Sequence, residues 1–319
     1  MFNYLQELLR RNQTWIEFQE LNREGWLQAW QRTKLQNLIL KTNPIRTVKS
    51  GSVEVRVLTW RRDWLNVIWA LKSFYYFSEV DYPLFIHDGG LKPTQVQKLK
   101  YHFPDATLIQ ASDADNYVMA ELQQHDLNRC LAYRAENIAT RKIFDFYLMS
   151  KADLLISIDS DIVFFKKPYD LIEGKDNFTK NKYNKDMQYF YSMELDELEL
   201  ACKIRPLPLV NSGLSLVKRE SINFCKMEEW LENPKLFSNK WVTEQTLHAL
   251  CSTIYGVELL PDTYCVSTNP GIKSDFVCKH YPGFFKTLLY REGMTYLKQH
   301  NFIESLNESK IKNFQLLVN

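Results

Sequence analysis

The cysteines of this sequence suit neither a zinc-binding protein nor a disulfide-bonded one. The six cysteines include no Cys-x-x-Cys pair and show no paired spacing. This pattern argues against a structural zinc site and against a secreted disulfide framework. Several of the cysteines lie in apolar segments, where cysteine usually packs as a small core residue.

Long apolar runs and charge of one sign are also missing. No apolar stretch reaches the length that spans a bilayer, and the first ten residues carry charges before any long apolar region, unlike a signal peptide. The net charge is only +2, so we expect no nucleic-acid partner, which would call for a strongly basic face. Together these absences predict a cytoplasmic enzyme, and 319 residues with 45% hydrophobic content allow a substantial core.

Residues 1–50 are predicted to form an N-terminal helical extension of two helices. Apolar residues recur there at helical spacing, at Leu5, Leu8, Leu9, Trp15, Ile16, Trp26, Leu27 and Trp30. The segment has eight Lys or Arg residues against four Glu, and a basic helix rich in Trp can lie on an anionic membrane surface. The same pattern also fits helices that pack on the domain or on a second subunit. Residues 41–51, with a Pro and a Gly, are typical of a linker.

From residue 51 onward the pattern alternates between strands and helices. Strands are predicted at residues 53–58, 83–87, 106–110 and 154–158, and helices at 65–77 and 131–148. This β-α-β rhythm predicts an α/β domain over residues 51–319, with a mostly parallel sheet covered by helices. The mostly polar residues 173–185 suggest, from composition, a mobile loop that could cover a site.

Two carboxylates interrupt the most apolar of these segments. Residues 154–165 read Leu-Leu-Ile-Ser-Ile-Asp-Ser-Asp-Ile-Val-Phe-Phe, which predicts a strand buried on both faces that ends at Asp159 and Asp161. Ligands in α/β sheets bind at the carboxyl ends of strands. The two carboxylates would repel each other unless a cation lay between them, and oxygen ligands suit Mg²⁺ or Mn²⁺. The segment therefore predicts a metal site that holds phosphate groups, although Asp and Ser are also ordinary turn residues.

Residues 209–216 form a predicted strand with the polar interruption Asn211, Ser212 and Gly213. Buried Asn and Ser need hydrogen-bond partners, because burying them without partners costs a few kcal/mol. The glycine would permit close approach of a ligand or another backbone. A β-bulge with satisfied polar groups explains the segment equally well.

Glu244 and Gln245 open another predicted helix, with Thr243 as its N-cap. A carboxylate in the first turn is favoured by the helix dipole, so the local structure alone explains the pair. A functional role for the pair depends on the remaining motifs.

The last candidates combine an imidazole with cations. His280 ends an apolar strand and can supply a neutral imidazole as a third metal ligand. Lys286 follows a Pro-Gly turn and could place its charge against a diphosphate. Arg141 and Lys142, on the helix before the carboxylate strand, are candidate anion contacts, although such surface residues are usually only solvated.

Taken in order, the four motifs D-x-D, Asn-Ser-Gly, acidic-Gln and His-x-x-Gly-x-x-Lys resemble those of the GT-A glycosyltransferases. The sequence is most similar to the retaining, family eight-like group of glycogenin and the bacterial lipooligosaccharide galactosyltransferases. The resemblance covers residues 53–286 and leaves the N-terminal helices outside. It implies a GT-A, Rossmann-like nucleotide-sugar-binding sandwich. It also implies transfer of a sugar from a nucleotide-diphosphate donor, most simply a UDP-sugar, to a glycan, lipid or protein acceptor with retention.

The resemblance also implies roles for individual residues. It makes Asp159, Asp161 and His280 ligands of Mn²⁺ or Mg²⁺ and gives Lys286 a phosphate contact. The donor pocket would include Arg141 or Lys142, Ser160, Asn211, Ser212 and Gly213. Glu244 and Gln245 would be the catalytic pair that touches donor sugar and acceptor.

This sequence departs from the family pattern at two positions. Glu244 stands where the family has Asp, which makes the side chain one methylene longer. The Pro-Trp that usually follows the final Lys is replaced by Thr287 and Leu288. The second departure weakens the assignment to this family more than the assignment to the GT-A fold.

Two alternatives remain open from the sequence. The segment around Asp159 also fits haloacid-dehalogenase-like phosphatases, in which Asp159 would be the nucleophile and Asp161 a general acid. That chemistry needs a downstream acidic pair, and no Asp-Asp or Gly-Asp-x-x-x-Asp follows Asp161. An inactive nucleotide-sugar-binding protein is the other alternative, and it would be marked by a missing metal ligand, whereas none is missing here.

Overall fold

Strands and helices alternate along the chain in the computed structural model, which describes residues 24–173, 178–238, 242–283 and 286–308. The strands are β1 (Val53–Thr59), β2 (Leu84–Asp88), β3 (Thr107–Ile109), β4 (Leu154–Ile158), β5 (Ile162–Phe164), β6 (Asn181–Lys185), β7 (Val210–Lys218), β8 (Val257–Leu259), β9 (Tyr264–Val266) and β10 (Cys278–His280). The α-helices are α1 (Trp26–Gln36), α2 (Trp64–Ser78), α3 (Pro93–His102), α4 (Ala111–Gln124), α5 (Asn128–Glu136), α6 (Asp145–Leu148), α7 (Tyr169–Ile172), α8 (Leu195–Cys202), α9 (Phe224–Trp230), α10 (Pro234–Ser238), α11 (Thr243–Tyr255), α12 (Thr295–Gln299) and α13 (Phe302–Glu308).

Within the described residues, the main sheet has seven strands in the order β3-β2-β1-β4-β7-β6-β8. The pairs β3–β2, β2–β1, β1–β4 and β6–β8 are parallel, and β7 runs antiparallel to both β4 and β6. This mostly parallel sheet with covering helices confirms the predicted α/β class.

The central strand β4 explains why its sequence shows no amphipathic period. Leu154, Ile156 and Ile158 pack into the core on one side of the sheet, together with α2. Leu155, which points the other way, packs into the core on the opposite side. A strand covered on both faces is apolar at every position, as this one nearly is.

A smaller sheet of order β5-β10-β9 lies beside the carboxyl end of β4. Its strands β10 and β5 are antiparallel, with His280 opposite Ile162. The backbone N–H of Tyr281 extends this pairing by donating to the Asp161 carbonyl at 3.0 Å. The register of this sheet therefore brings His280 next to the turn that carries the two aspartates.

The described part of the N-terminal segment packs on the domain through one face of α1 and through the 3₁₀ turn that follows it. Gln36 Nε2 donates to Asn66 Oδ1 at 2.9 Å, the Gln36 backbone carbonyl accepts from Trp69 Nε1 at 3.1 Å, and Ile39 is fully buried. The first predicted helix lies outside the described residues, and the division at residue 50 stays a prediction. None of the described helices combines the length and apolar character needed to cross a bilayer.

The prediction of one long helix over residues 131–148 is wrong. Helix α5 ends at Glu136, a 3₁₀ turn spans Ile138–Lys142, and α6 follows. Asn137 is extended between them, with φ −150° and ψ 132°, and its Oδ1 accepts from the Ala139 N–H at 3.0 Å. An Asn side chain that caps the next turn offers the backbone an alternative to continuing the helix.

The prediction of a polar loop over residues 173–185 is wrong for its last five residues, which form β6. They pair with β7 on one side and β8 on the other. Asn181 is buried because its Nδ2 donates to Ser221 Oγ at 2.7 Å and to Ser252 Oγ at 2.9 Å. Residues 174–177 of the predicted loop lie outside the described residues.

Candidate active site

Asp159 and Asp161 lie in the turn that joins β4 to β5. The Asp159 N–H donates to the Gly213 carbonyl at 2.8 Å, which continues the β4–β7 ladder by one residue. The Ile162 N–H then donates to the Asp159 carbonyl at 3.3 Å. These backbone hydrogen bonds anchor the turn on both sides. Asp161 is buried and Asp159 is half-buried, so the turn is not merely solvated.

Three side chains that can ligate a metal converge at this turn. One ligand atom from each of Asp159, Asp161 and His280 lies within 4.8 Å of the others. His280 Nε2 is 3.2 Å from Asp161 Oδ1, and the buried Nδ1 of the same ring has no hydrogen-bond partner among the described residues. Two carboxylates and an imidazole fit a divalent cation such as Mn²⁺ or Mg²⁺.

Two lysines face the same carboxylates. Lys142 Nζ lies 2.9 Å and 3.2 Å from the two oxygens of Asp159, and Lys286 Nζ contacts Asp161 Oδ2. Burial alone would raise the pKa of Asp161, but the charges of Lys286 and His280 outweigh it and hold that pKa well below its ordinary value. The site therefore combines ligands for a cation with two cations of its own that can meet an anion.

A further carboxylate near the cluster was missed by the sequence analysis. Asp63 lies at the start of α2, and it accepts a hydrogen bond from Trp60 Nε1. Burial raises the pKa of Asp63, the charge of Lys286 lowers it, and the charge of Asp161 raises it further. One feature of the sequence could have indicated Asp63, namely its position just after β1, at the carboxyl edge of the parallel sheet.

Gly213 is required because the His280 ring packs against its backbone. A Cβ at residue 213 would lie 2.4 Å from His280 Cε1 and 2.9 Å from His280 Nδ1. Asn211 Oδ1 accepts from the Gly213 N–H at 3.0 Å and keeps the strand in place. The close approach to Gly213 predicted from the sequence is thus made by the imidazole of His280. A register irregularity also lies nearby, in the β6–β7 pairing.

Gly213→Ala is expected to displace the His280 ring and weaken metal binding at least tenfold, because that is the usual loss when a ligand's support is removed. Calorimetric titration with Mn²⁺ measures this. Gly51→Ala is the matched control, since its added Cβ would approach no atom closer than Pro83 Cδ at 3.4 Å, an ordinary contact. Equal metal affinity in both variants would remove His280 from the site.

Glu244 and Gln245 lie in the first turn of α11 and reach the Asn-Ser-Gly strand. Ser212 Oγ donates to Glu244 Oε2 at 2.9 Å, and the Ser212 N–H approaches Gln245 Oε1 at 3.4 Å. The predicted N-cap at Thr243 is wrong. The cap residue is Val242, and the Thr243 hydroxyl instead donates to the Leu236 carbonyl.

Asp186 links the same two motifs and was also missed. Its Oδ2 accepts from Asn211 Nδ2 at 2.9 Å and from Gln245 Nε2 at 3.1 Å. The buried carboxylate of Asp186 thereby fixes the orientation of both side-chain amides, because only the NH₂ group of an amide, and not its oxygen, can donate to a carboxylate. Sequence gave little sign of this role, since Asp186 is an isolated acid just after β6.

The remaining candidates lie at different distances from the cluster. Lys142 belongs to it, whereas Arg141 pairs with Asp115 at 2.9 Å and reaches the Asp88 carbonyl at 3.5 Å. Ser160 is half-buried in the turn between the two aspartates. A donor contact by Arg141 or Ser160 stays a prediction.

Comparisons with known proteins identify the fold. No family model matches the sequence, and no curated protein matches it either. Several solved structures do match, among them mouse xyloside xylosyltransferase 1 in its apo form, with a TM-score of 0.50, 13% identity, and coverage of 72% of this chain and 98% of that one.

Two further matches have similar scores. The galactosyltransferase LgtC in complex with donor and acceptor sugar analogues matches with a TM-score of 0.53 at 11% identity, over 80% of this chain and 95% of that one. The bifunctional glycosyltransferase WbbM matches with a TM-score of 0.52 at 14% identity, over 83% of this chain and 53% of that one. At such identities the likeness shows the fold, which confirms the predicted GT-A architecture.

Proposed function

We propose that this protein is a metal-dependent glycosyltransferase that moves a sugar from a nucleotide-diphosphate donor, a UDP-sugar, to an acceptor with retention of configuration. The observation that carries the proposal is the convergence of Asp159, Asp161 and His280 at the carboxyl edge of a GT-A sheet. The acceptor is a glycan, lipid or protein hydroxyl. The same edge is where α/β sheets bind their ligands.

The charges of the site suit departure of a nucleoside diphosphate. Negative charge builds on the β-phosphate as the sugar leaves, and a bound divalent cation would act there as a Lewis acid. Lys286 can exchange its contact with Asp161 for the developing charge on the phosphate. Lys142 keeps its ion pair with Asp159 and thereby holds the carboxylate in place.

Glu244 supplies the opposite charge on the sugar side of the proposed pocket. Burial alone would raise its pKa, but the charge of Lys142 and the contacts with His248 and Ser212 lower it to about 2. The carboxylate is therefore ionised throughout the working pH range and does not donate a proton. It would stabilise positive charge that develops on the sugar ring in the transition state.

The proposal is tested by thermal shift with a panel of UDP-, GDP- and ADP-sugars, each with and without Mn²⁺ or Mg²⁺. A UDP-sugar with metal at about 100 times its Kd is expected to raise Tm by roughly 5 °C, because it binds only the native state. Proton NMR of the product of the binding donor then reports the anomeric configuration.

Other outcomes of this panel would contradict the proposal. Release of phosphate from a small phosphoester, with no dependence on a nucleotide, would favour the haloacid-dehalogenase-like phosphatase with Asp159 as nucleophile. A thermal shift without transfer to any acceptor and without donor hydrolysis would favour the inactive nucleotide-sugar-binding protein. Transfer that persists after chelation of all divalent cations would reject the metal site.

Peripheral membrane contact through the N-terminal helices is a separate part of the proposal. Trp26, Leu27 and Trp30 of α1 are all more than half exposed, and Lys34 lies 5.2 Å from the Trp30 ring. Residues 1–50 carry a net positive charge, so we propose that this face lies on anionic lipid.

The double variant Trp26→Ser/Trp30→Ser is expected to lower the fraction that sediments with vesicles of phosphatidylserine and phosphatidylcholine several-fold. Each Trp that inserts into the membrane interface removes apolar area from water and so strengthens binding, whereas a serine in its place does not. Tyr101→Ser, which removes an exposed aromatic from α3, is the matched control and should bind as the parent does. Equal sedimentation of all three proteins would reject membrane contact through α1.

A further inference from the structure

The histidine that helps to lower the pKa of Glu244, His248, is buried and has polar partners on both ring nitrogens. Glu244 and His248 are one turn apart on α11 and are 5% and 2% exposed. His248 Nε2 lies 3.1 Å from Glu244 Oε1, at an angle outside strict hydrogen-bond geometry. No other described residue donates to Oε1, while Ser212 Oγ holds the other oxygen at 2.9 Å.

The far side of the same imidazole is held by a chain of buried polar groups. His248 Nδ1 is 3.1 Å from the Tyr183 hydroxyl, which is 2.8 Å from Ser252 Oγ. Asn181 Nδ2 donates to Ser252 Oγ at 2.9 Å. The orientation of the Asn181 amide is set in turn, because its Oδ1 accepts from the Lys218 N–H at 2.9 Å.

These contacts allow a direction of hydrogen bonding along the network in which His248 donates to Glu244. Asn181 donates to Ser252, so the Ser252 hydroxyl can donate to Tyr183, and the Tyr183 hydroxyl can donate to His248 Nδ1. A neutral imidazole that accepts at Nδ1 carries its proton on Nε2. That proton then faces Glu244, and every donor in the chain has an acceptor.

We propose that His248 is a positioning residue for Glu244, whose carboxylate it holds in one orientation through Nε2–H. Tyr183 holds His248 in the required tautomer. His248 contacts one carboxylate oxygen of Glu244, and Ser212 of the Asn-Ser-Gly strand contacts the other. The catalytic consequence rests on the proposed function, whereas the effect on the ionisation of Glu244 does not.

The other groups around Glu244 make the contribution of His248 measurable. Lys142 is the cation that lowers the pKa of Glu244 most, but it also pairs with Asp159. The phenols that face Glu244 have pKa values raised by burial, so they stay neutral and do not compete; they are Tyr133, Tyr147 and Tyr183. Besides Lys142, the described side chains that lower the pKa of Glu244 are His248, through its charge and as a donor, and Ser212, as a donor.

The test compares His248→Leu with His248→Gln. The leucine variant lacks the donor, so we expect kcat to fall about 10- to 100-fold, with the KM for donor and the Mn²⁺ titration unchanged. Losing a donor to the charged form raises the pKa of Glu244, so the acidic limb of the kcat profile should move to higher pH. Glutamine can still donate to the carboxylate and should restore most of kcat.

A second readout does not depend on catalysis. In protein with ¹³C-labelled glutamate carboxyls, the Glu244 resonance is assigned by its absence in Glu244→Gln, and its titration is followed with and without His248. An upward shift of that titration in His248→Leu supports the proposal even if no donor is ever transferred. If His248→Leu does not fold, Tyr183→Phe, which removes only the hydroxyl that fixes the tautomer, should show a smaller upward shift.

The outcomes separate the two proposals. If wild-type protein transfers no sugar but the carboxylate titration shifts as described, the proposed function fails and the role of His248 stands. If a folded variant keeps both the wild-type titration of Glu244 and the wild-type acidic limb, His248 is only a packing residue and the inference is overturned.

Discussion

Replacing Asp161 with asparagine is expected to abolish metal-dependent sugar transfer, with a loss of at least about 10³-fold in kcat/KM. Asp161 is the buried member of the proposed ligand set, and its two oxygens face His280 Nε2 and Lys286 Nζ. An asparagine keeps the volume but removes the negative charge that both the divalent cation and these two side chains need. Metal affinity by calorimetry and transfer with the donor found by thermal shift measure the two losses separately.

Glu54→Gln is the matched control for the loss of a buried carboxylate. Glu54 Oε2 accepts from Arg56 at 2.8 Å and from Ser150 Oγ at 2.8 Å, and Glu54 lies on β1 away from the metal cluster. Its variant should lower Tm, because an uncompensated Arg56 is left buried, but it should keep the metal affinity. If Asp161→Asn also kept metal affinity and transfer, the aspartates would form only a structural turn.

The central strand was predictable because its environment is the same on both sides. β4 lies between β1 and β7 with a core on each face, so its apolar run could belong only to a strand covered on both faces. Its carboxyl end then located Asp159 and Asp161. His280 was found by the same reasoning, since it ends the apolar strand β10.

The helix over residues 131–148 was not predictable for a physical reason. Its apolar spacing is helical on both sides of Asn137, and one extended residue is enough to break it. That break has a consequence for the site, because Lys142 lies in the 3₁₀ turn that follows and reaches Asp159. Whether an Asn side chain caps a new turn or remains solvated depends on tertiary packing, and the spacing of apolar residues along the sequence carries no information about that packing.

Asp186 and His248 were missed because their partners are distant along the chain. Asp186 meets Asn211 only through the β6–β7 pairing, and it meets Gln245 only because α11 packs on β7. His248 could have been found from its i,i+4 spacing to Glu244, a spacing that puts both side chains on one helix face. Such a pair is common on exposed helices, so burial was the missing information.

The second large effect is expected from Lys286→Gln, which should lower kcat about 10²- to 10³-fold while Mn²⁺ binds as tightly as before or more tightly. Lys286 contacts Asp161, so it occupies an oxygen that a divalent cation would also use. Removing the lysine charge takes away a competitor for the metal. It also takes away the cation that would meet the departing diphosphate, and that contact strengthens as the sugar leaves.

Lys167→Gln is the control, because Lys167 is another ion-paired lysine, 3.0 Å from Glu79 on the surface. It should change neither kcat nor metal affinity. A fall in metal affinity in Lys286→Gln as large as in Asp161→Asn would mean that the lysine only supports the fold of the site. An unchanged kcat would separate it from the diphosphate altogether. A phosphate-binding lysine requires that kcat falls while metal affinity stays the same or rises, since the same side chain opposes metal binding and favours departure of the leaving group.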